Sequence, residues 1–158
     1  MEKYSREQII EITKPDPSWM NFKEEVVYEK KVISLQEAVT TLYTVWDDIE
    51  DFERIPFIDY ASALKEKSIS DIPTERLQKV EEIYNNKFTD EEIMVPVFKY
   101  GDLKILLPEE YPGYIKTPDE VYITEDRNHR LTALALRILD GEEIGNIPVA
   151  VFYGTLVK

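Results

Sequence analysis

The stretch of sequence that decides the fold is Tyr122-Ile123-Thr124-Glu125-Asp126-Arg127-Asn128-His129-Arg130-Leu131-Thr132-Ala133-Leu134. Its β-branched and aromatic start predicts a strand over 121–124, and the polar residues 125–128 predict a turn. The apolar spacing that follows predicts a helix from about His129 to Leu139, ended by Asp140-Gly141 because glycine favours the position after a helix. The stretch therefore predicts a strand-to-helix junction.

Three apolar runs outside this junction predict further strands, which with the junction make a β-α-β unit. Downstream, residues 147–153 (Ile-Pro-Val-Ala-Val-Phe-Tyr) predict a closing strand. Upstream, residues 94–98 and 103–107 predict two strands around the turn Tyr100-Gly101-Asp102. The β part of the chain is therefore expected within residues 93–158.

The first 92 residues predict mainly helices. Ser34 and Glu37 form a Ser-x-x-Glu capping box, which predicts a helix start. An apolar stripe at spacings of three and four extends that helix over about five turns and places Trp46 in the core; its members are Leu35, Ala38, Val39, Leu42, Trp46, Ile49 and Phe52. Further helices are expected over 5–12, over 59–67 and from Pro73, with an extended stretch at Val32-Ile33. The predicted fold class is α+β: one domain, 1–158, in which a helical elaboration, 1–92, packs on a small mixed β-sheet.

Composition limits the classes of function. The chain has 158 residues, no cysteine and a formal net charge of −13. The absence of cysteine excludes disulfides, thiolate metal sites and cysteine nucleophiles. The negative charge opposes nonspecific attraction to DNA or anionic lipid, so any contact with nucleic acid is expected to be local. With no apolar run of membrane-spanning length and no signal-peptide pattern, a cytoplasmic protein without a membrane partner is expected. The high charged fraction leans toward a thermophilic source.

The junction also carries the residues that point to chemistry. His129 is the only histidine, and with Arg127 and Arg130 it lies at a helix start, where backbone N–H groups and the helix dipole favour an anion. Glu125 and Asp126 directly precede them and offer either metal ligands or a general base. A purely structural role is also open, and short polar turns before helices are common: Asp126 as an N-cap, Arg130 paired with Glu125 or Asp126, and His129 bonded to a carbonyl.

These residues resemble the ParB/sulfiredoxin-like superfamily, in which a strand ends in Asp-Gly-x-His-Arg or Gly-x-Arg-Arg and opens an alanine-bearing helix. The resemblance covers roughly residues 95–152. The matching residues are Asp126, Asn128, His129, Arg130 and Ala133, the glycine at 141 or 145, the strand 147–151, and the upstream Val95-Pro96-Val97.

The sequence also departs from the family pattern. Arg127 replaces the usual glycine, and its Cβ disfavours a nucleotide phosphate close to the backbone. Asn128 replaces the sulfiredoxin cysteine, which excludes that activity. Only residues 154–158 follow the unit, so the helix-turn-helix domain of chromosome-partition members, and with it centromere recognition, is not expected.

For a small protein with this unit alone, the resemblance implies chemistry on a phosphate group. Such members of the superfamily also occur as accessory proteins of viruses and plasmids. The leading expectation is a nuclease acting on DNA, in which His129 and Arg130 hold the phosphate and Glu125 or Asp126 holds Mg²⁺ or Mn²⁺ or activates water. Arg127, Asn128, His129 and Arg130 are the expected phosphate-binding residues. The alternatives are a nucleotide-binding NTPase or small-molecule phosphotransferase, such as a serine-kinase-like enzyme, and a non-catalytic interaction protein of a mobile element.

Three other groups of residues are weaker candidates. The acidic run Asp47, Asp48, Glu50, Asp51 and Glu53 is expected to be a solvated helix face, with a cation or partner site as the alternative. Glu91 and Glu92 are expected to belong to a local cap, with metal binding as the alternative. Packing is the ordinary role, and base stacking the alternative, for Tyr100, Tyr111, Tyr114 and Tyr122.

Overall fold

The computed structural model describes residues 3–13, 25–46, 54–66, 72–86, 93–106, 117–124 and 128–157. Within these ranges the chain is an α+β structure with one five-stranded mixed sheet and six helices. In chain order the elements are β1 (Lys3–Ser5), α1 (Arg6–Thr13), β2 (Val26–Ser34), α2 (Leu35–Thr41), α3 (Phe57–Lys65), α4 (Thr74–Asn85), β3 (Ile93–Lys99), α5 (Tyr100–Leu106), β4 (Tyr122–Thr124), α6 (Asn128–Leu139) and β5 (Pro148–Leu156).

The sheet has the strand order β1-β2-β5-β3-β4, with β5 in the centre. β5 pairs antiparallel with β2 and parallel with β3, while the outer pairs β1–β2 and β3–β4 are antiparallel. Two of the five strands therefore come from residues 3–34, a part of the chain predicted to be mainly helical. The prediction missed β1 because a three-residue polar strand has no periodic signal of its own.

The expectation that the strands around α6 share one sheet is confirmed, but the connection between them differs from a parallel crossover. β3 lies between β4 and β5 and runs antiparallel to the former and parallel to the latter. Consequently α6 joins two strands that run in opposite directions. The parallel pair is β3 and β5, and the chain between them contains α5, β4 and α6.

Side chains alternate between the two faces of the sheet, as the period of a β-strand requires. Val95, Val97, Val149 and Val151 belong to a core shared with α2, α3 and α6. Phe98, Ala150 and Phe152 belong to a second core shared with α1 and α5. The central strands are covered by helices on both faces, and α4 packs on α6.

The predicted start of α2 is confirmed, but its predicted length is wrong. The Ser34 hydroxyl accepts a hydrogen bond from the backbone N–H of Glu37 at 3.1 Å, as an N-cap does. The helix ends at Thr41, because Leu42 takes an extended conformation (φ −86°, ψ 137°) that brings Tyr43 beside β4. Trp46 is therefore outside the helix, and Ile49 and Phe52 lie outside the described residues.

The segment predicted as a strand over 103–107 is helical. Its described part belongs to α5, whose Tyr100, Leu103 and Leu106 are buried at spacings of three. A short apolar run has the same composition in a buried helix as in a strand, so periodicity alone did not distinguish them. The strands over 94–98 and 122–124 and the helices near 59–67, 74–85 and 129–139 are confirmed. No helix among the described residues is both long and apolar enough to cross a membrane.

Candidate functional site at the start of helix α6

Asn128 fixes the start of α6 against two other segments. Its side-chain oxygen accepts hydrogen bonds from the Thr124 hydroxyl at 2.7 Å, the Val45 backbone N–H at 3.1 Å and the Thr44 hydroxyl at 3.3 Å. The Thr44 hydroxyl in turn accepts from the backbone N–H of Trp46 at 3.1 Å. Asn128 is buried, and its oxygen ties β4, the loop after α2 and α6 together.

This hydrogen-bond network positions Trp46 beside the first turn of α6. The Trp46 ring meets the His129 ring edge to face, with the centroids 5.0 Å apart, and the Tyr60 ring at 5.2 Å. The guanidinium carbon of Arg76 lies 4.3 Å from the Trp46 centroid, within cation–π range. Arg76 also donates a hydrogen bond to the Tyr60 hydroxyl at 3.2 Å. A half-buried indole ring is thus bordered by a histidine, an arginine and a tyrosine.

The contacts at both ends of the helices show that α3, α4 and α6 run in the same direction. Tyr60, Arg76 and His129 belong to the first turns of these helices, and all three side chains touch Trp46. At the other end, Lys65 of α3 and Tyr84 of α4 both donate to the carboxylate of Asp140, which follows α6. Three helix N-termini therefore converge around Trp46, and their partial positive charges add there.

The first turn of α6 carries more positive charge than those of its two neighbours. It contains no acidic residue and instead presents His129 and Arg130, both half-buried. By contrast, α3 has Asp59 and α4 has Glu75 in the first turn, where a carboxylate offsets the dipole. Within the described residues, the first turn of α6 therefore favours an anion more than the first turns of α3 and α4 do.

A further arginine supports the loop that carries Trp46. Arg54 is 2% exposed, and its Nε donates to the Val45 carbonyl oxygen at 3.0 Å. Its guanidinium also lies over the Tyr100 ring, 5.4 Å from the centroid. Arg54 is therefore a buried positive charge bonded to the residue that precedes Trp46, and this bond stabilises the loop after α2.

The structure describes three of the six predicted site residues. Asn128, His129 and Arg130 lie together at the start of α6, with the Asn128 oxygen engaged in the internal network described above. Glu125, Asp126 and Arg127 lie outside the described residues, as do Glu91, Glu92, Tyr111, Tyr114 and the acidic run 47–53. Elsewhere in the described chain, no group of three or more His, Cys, Asp or Glu side chains is placed to hold a metal ion.

The tyrosines considered for base stacking are packing residues where they are described. Tyr100 is buried in the core on the α1 and α5 side of the sheet. Tyr122 packs edge to face on Tyr153, with the ring centroids 4.7 Å apart. The aromatic ring that borders the first turn of α6 is instead Trp46.

Sequence reasoning missed Trp46, Tyr60, Arg76 and Arg54 as neighbours of the α6 start. Trp46 fitted a helical stripe, so its spacing predicted core packing. The other three come from distant parts of the chain, and only the common direction of α3, α4 and α6 brings two of them to Trp46. One signal in the sequence does indicate that α2 ends before Trp46. Thr44 and Val45 are both β-branched, and such residues disfavour a helix.

Comparisons of the chain with protein-family models, with curated protein sequences and with solved structures find no match.

Proposed function

We propose that the chain is a phosphodiester hydrolase acting on DNA, with its phosphate site at the start of α6. The observation that carries this proposal is the convergence of three helix N-termini on Trp46, with His129 and Arg76 in contact with its ring. Backbone N–H groups at a helix start, a positive dipole end and basic side chains are what a phosphate diester binds best.

The proposed roles follow from the chemistry of each side chain. Arg130 binds the non-bridging phosphate oxygens with its fork of N–H donors, and His129 donates to the same group. The carboxylate of Glu125 or Asp126 accepts a proton from water as its oxygen attacks the phosphorus. The bond to the departing sugar oxygen breaks, and that oxygen takes a proton from solvent.

A divalent cation fits this proposal through the carboxylate pair. Glu125 and Asp126 would hold it, because Mg²⁺ and Mn²⁺ prefer oxygen ligands, and it would supply charge neutralisation of the phosphate. His129 and Arg130 remain the groups that orient the phosphate in either case.

We also propose that residues 93–158 form a ParB-like unit. The strand with Val95-Pro96-Val97 is β3, the strand before the His-Arg motif is β4, and the Pro148-Val149 strand is β5. The order of β3, β4, the motif helix α6 and β5, with α5 between β3 and β4, supports the proposal. Helices α2 to α4 are then additions that bring Trp46 and Arg76 to the motif.

The test is an assay with linear DNA, with and without Mg²⁺ or Mn²⁺, on two variants of the same helix. Arg130→Ala removes the proposed phosphate ligand. Arg137→Ala is the matched control, because Arg137 lies two turns further along α6 and pairs with Glu142 through bonds of 2.6 Å. Arg130→Ala is expected to weaken DNA binding and cleavage together by about tenfold or more, the scale of a lost charged hydrogen bond. Equal cleavage by the parent and both variants would refute the site.

A nucleotide-binding NTPase or phosphotransferase is the second candidate, and the half-buried Trp46 ring beside the proposed phosphate site favours it. An aromatic ring next to a phosphate site can stack on a base. Free nucleotides in the same assay distinguish the two enzymes, because the nuclease leaves them intact. Binding of DNA or nucleotide without turnover of either would instead indicate an interaction protein.

A further inference from the structure

A second surface, along α4 and toward the C-terminal ends of α3 and α6, carries a groove. Its volume is about 560 Å³, in the range of sites for small organic ligands. Four aliphatic side chains from three helices line it: Leu64 of α3, Leu77 and Val80 of α4, and Leu136 of α6.

The groove lies where α3 and α4 both pack on α6. Val80 is the buried residue of α4, whereas Leu77, one turn earlier, remains 42% exposed. An apolar side chain left in solvent beside other aliphatic groups gains free energy when a ligand covers it. The lining therefore favours a ligand with an apolar body.

The polar groups of the groove determine the charge of that ligand. Asp140 and Glu81 contribute two carboxylates, and the Tyr84 hydroxyl points to Asp140. Among the lining residues that the structure describes, Lys65 is the single positive group, and its Nζ lies 2.5 Å from Asp140 Oδ1. The C-termini of α3, α4 and α6 lie at this end, so their partial negative charges add to the carboxylates. The described lining therefore carries two carboxylates against one ammonium group.

We propose that this groove binds an organic cation, an ammonium or guanidinium group on an aliphatic or aromatic body. The apolar body covers Leu77 and Leu136, and the cationic group takes the position beside Asp140 that Lys65 occupies. The Lys65 side chain is 44% exposed and can move into solvent, so the exchange replaces one ion pair by another. The proposal concerns a different surface from the phosphate site and stands independently of it.

Three probes with one body and different charge test the proposal: phenethylammonium, 2-phenylethanol and 3-phenylpropionate, titrated into the full chain and followed by amide chemical shifts. The ammonium is expected to bind about five- to tenfold more tightly than the carboxylate, with shifts confined to residues that line the groove. Equal binding of the three probes, or shifts elsewhere, would overturn the proposal.

Two variants separate the role of charge from that of the apolar surface. Lys65→Met removes the internal competitor and is expected to tighten ammonium binding severalfold, whereas an anion site would lose affinity. Leu77→Ala is expected to weaken binding of the ammonium and the alcohol alike. Leu139→Ala is the matched control, since Leu139 is 37% exposed on the same helix bundle and does not line the groove. Weaker ammonium binding by Lys65→Met, or an equal effect of the two leucine variants, would contradict the assignment.

Discussion

The rings of Trp46 and His129 meet at 69°, with their centroids 5.0 Å apart, and this contact joins the loop after α2 to the first turn of α6. The contact depends on Asn128, whose oxygen holds the same loop through Val45 and Thr44. The position of the proposed phosphate ligand His129 is therefore set by residues more than eighty positions earlier in the chain.

Asn128→Ala is expected to destabilise the fold by about 3 kcal/mol. The substitution leaves the Thr124 and Thr44 hydroxyls and the Val45 N–H without the oxygen to which they donate, in a buried place where an unsatisfied donor is costly. Urea denaturation measures the change. Asn85→Ala, on an exposed residue at the end of α4, is the control and is expected to lie within about 0.5 kcal/mol of the parent. Equal midpoints for the two variants would contradict the role of Asn128.

Gly154→Ala is expected to cost roughly 2 kcal/mol, because a Cβ at this position would lie 2.5 Å from Cε1 of Phe98. Both residues are in the sheet, so the backbone cannot easily move away. Combining the change with Phe98→Leu should recover part of the loss relative to the sum of the single variants. Strict additivity in thermal unfolding would show that the steric contact is not the cause.

Trp46→Ala is expected to cost about 2 kcal/mol, less than a fully buried aromatic residue. The ring is half-buried, and the losses are its contacts with Tyr60 and His129 and the cation–π contact with Arg76. Phe57→Ala, at a residue with no exposed surface, is expected to cost about 3 to 5 kcal/mol. Urea denaturation measures both free energies of unfolding. A larger loss of stability for Trp46→Ala than for Phe57→Ala would show that Trp46 is a core residue, as its sequence spacing predicts.

The hydrogen bond from Lys65, and next the one from Tyr84, hold the pKa of Asp140 below its ordinary value of 3.8. Because this pKa is lower in the folded state, the stabilising contribution is fully present above the unfolded pKa and is lost as the pH falls through the folded one. Lys65→Met should raise the pKa of Asp140 toward its ordinary value, because it removes the strongest of these hydrogen bonds. A titration of the Asp140 carboxyl by NMR measures this, and an unchanged midpoint would argue against the pair in solution.

Glu125→Gln and Asp126→Asn are expected to retain DNA binding while reducing turnover, by roughly 10² for the residue that acts as the base. The Gln variants of Glu91 and Glu92 belong in the same assay as alternative carboxylates. Glu75→Gln is the control, since Glu75 is exposed in the first turn of α4, at the same end of the helices. Unchanged turnover in all the carboxylate variants would place the activity elsewhere or assign it to a contaminant.

Local signals in the sequence predicted the elements that a local interaction determines. Ser34 caps α2 through its own hydroxyl, and Gly141 follows α6 with φ +94°, a conformation that glycine adopts easily. The apolar run of β5 predicted a strand because β-branched residues fit a sheet buried on both faces. These features depend on residues within a few positions of one another.

The missed features depend on distant residues. The stripe from Leu35 continues in sequence to Phe52, yet the chain leaves the helix at Leu42 because Tyr43 pairs with Ile123 and Pro56. No spacing within 35–52 shows that pairing. The same holds for Arg76 and Tyr60, which reach Trp46 through the arrangement of three helices. The motif in the sequence therefore predicted Asn128, His129 and Arg130 as neighbours. The contacts of Trp46, Tyr60 and Arg76 with this motif depend on tertiary packing.

The central position of β5 affects how the chain can fold during synthesis. When a ribosome has produced the residues up to α6, β1–β2 and β3–β4 exist only as two separate pairs, because the strand between them has not yet emerged. The sheet joins when residues 148–156 insert between the two pairs. Such late, non-local pairing slows folding and leaves the facing edges of β2 and β3 available to wrong partners until it is complete.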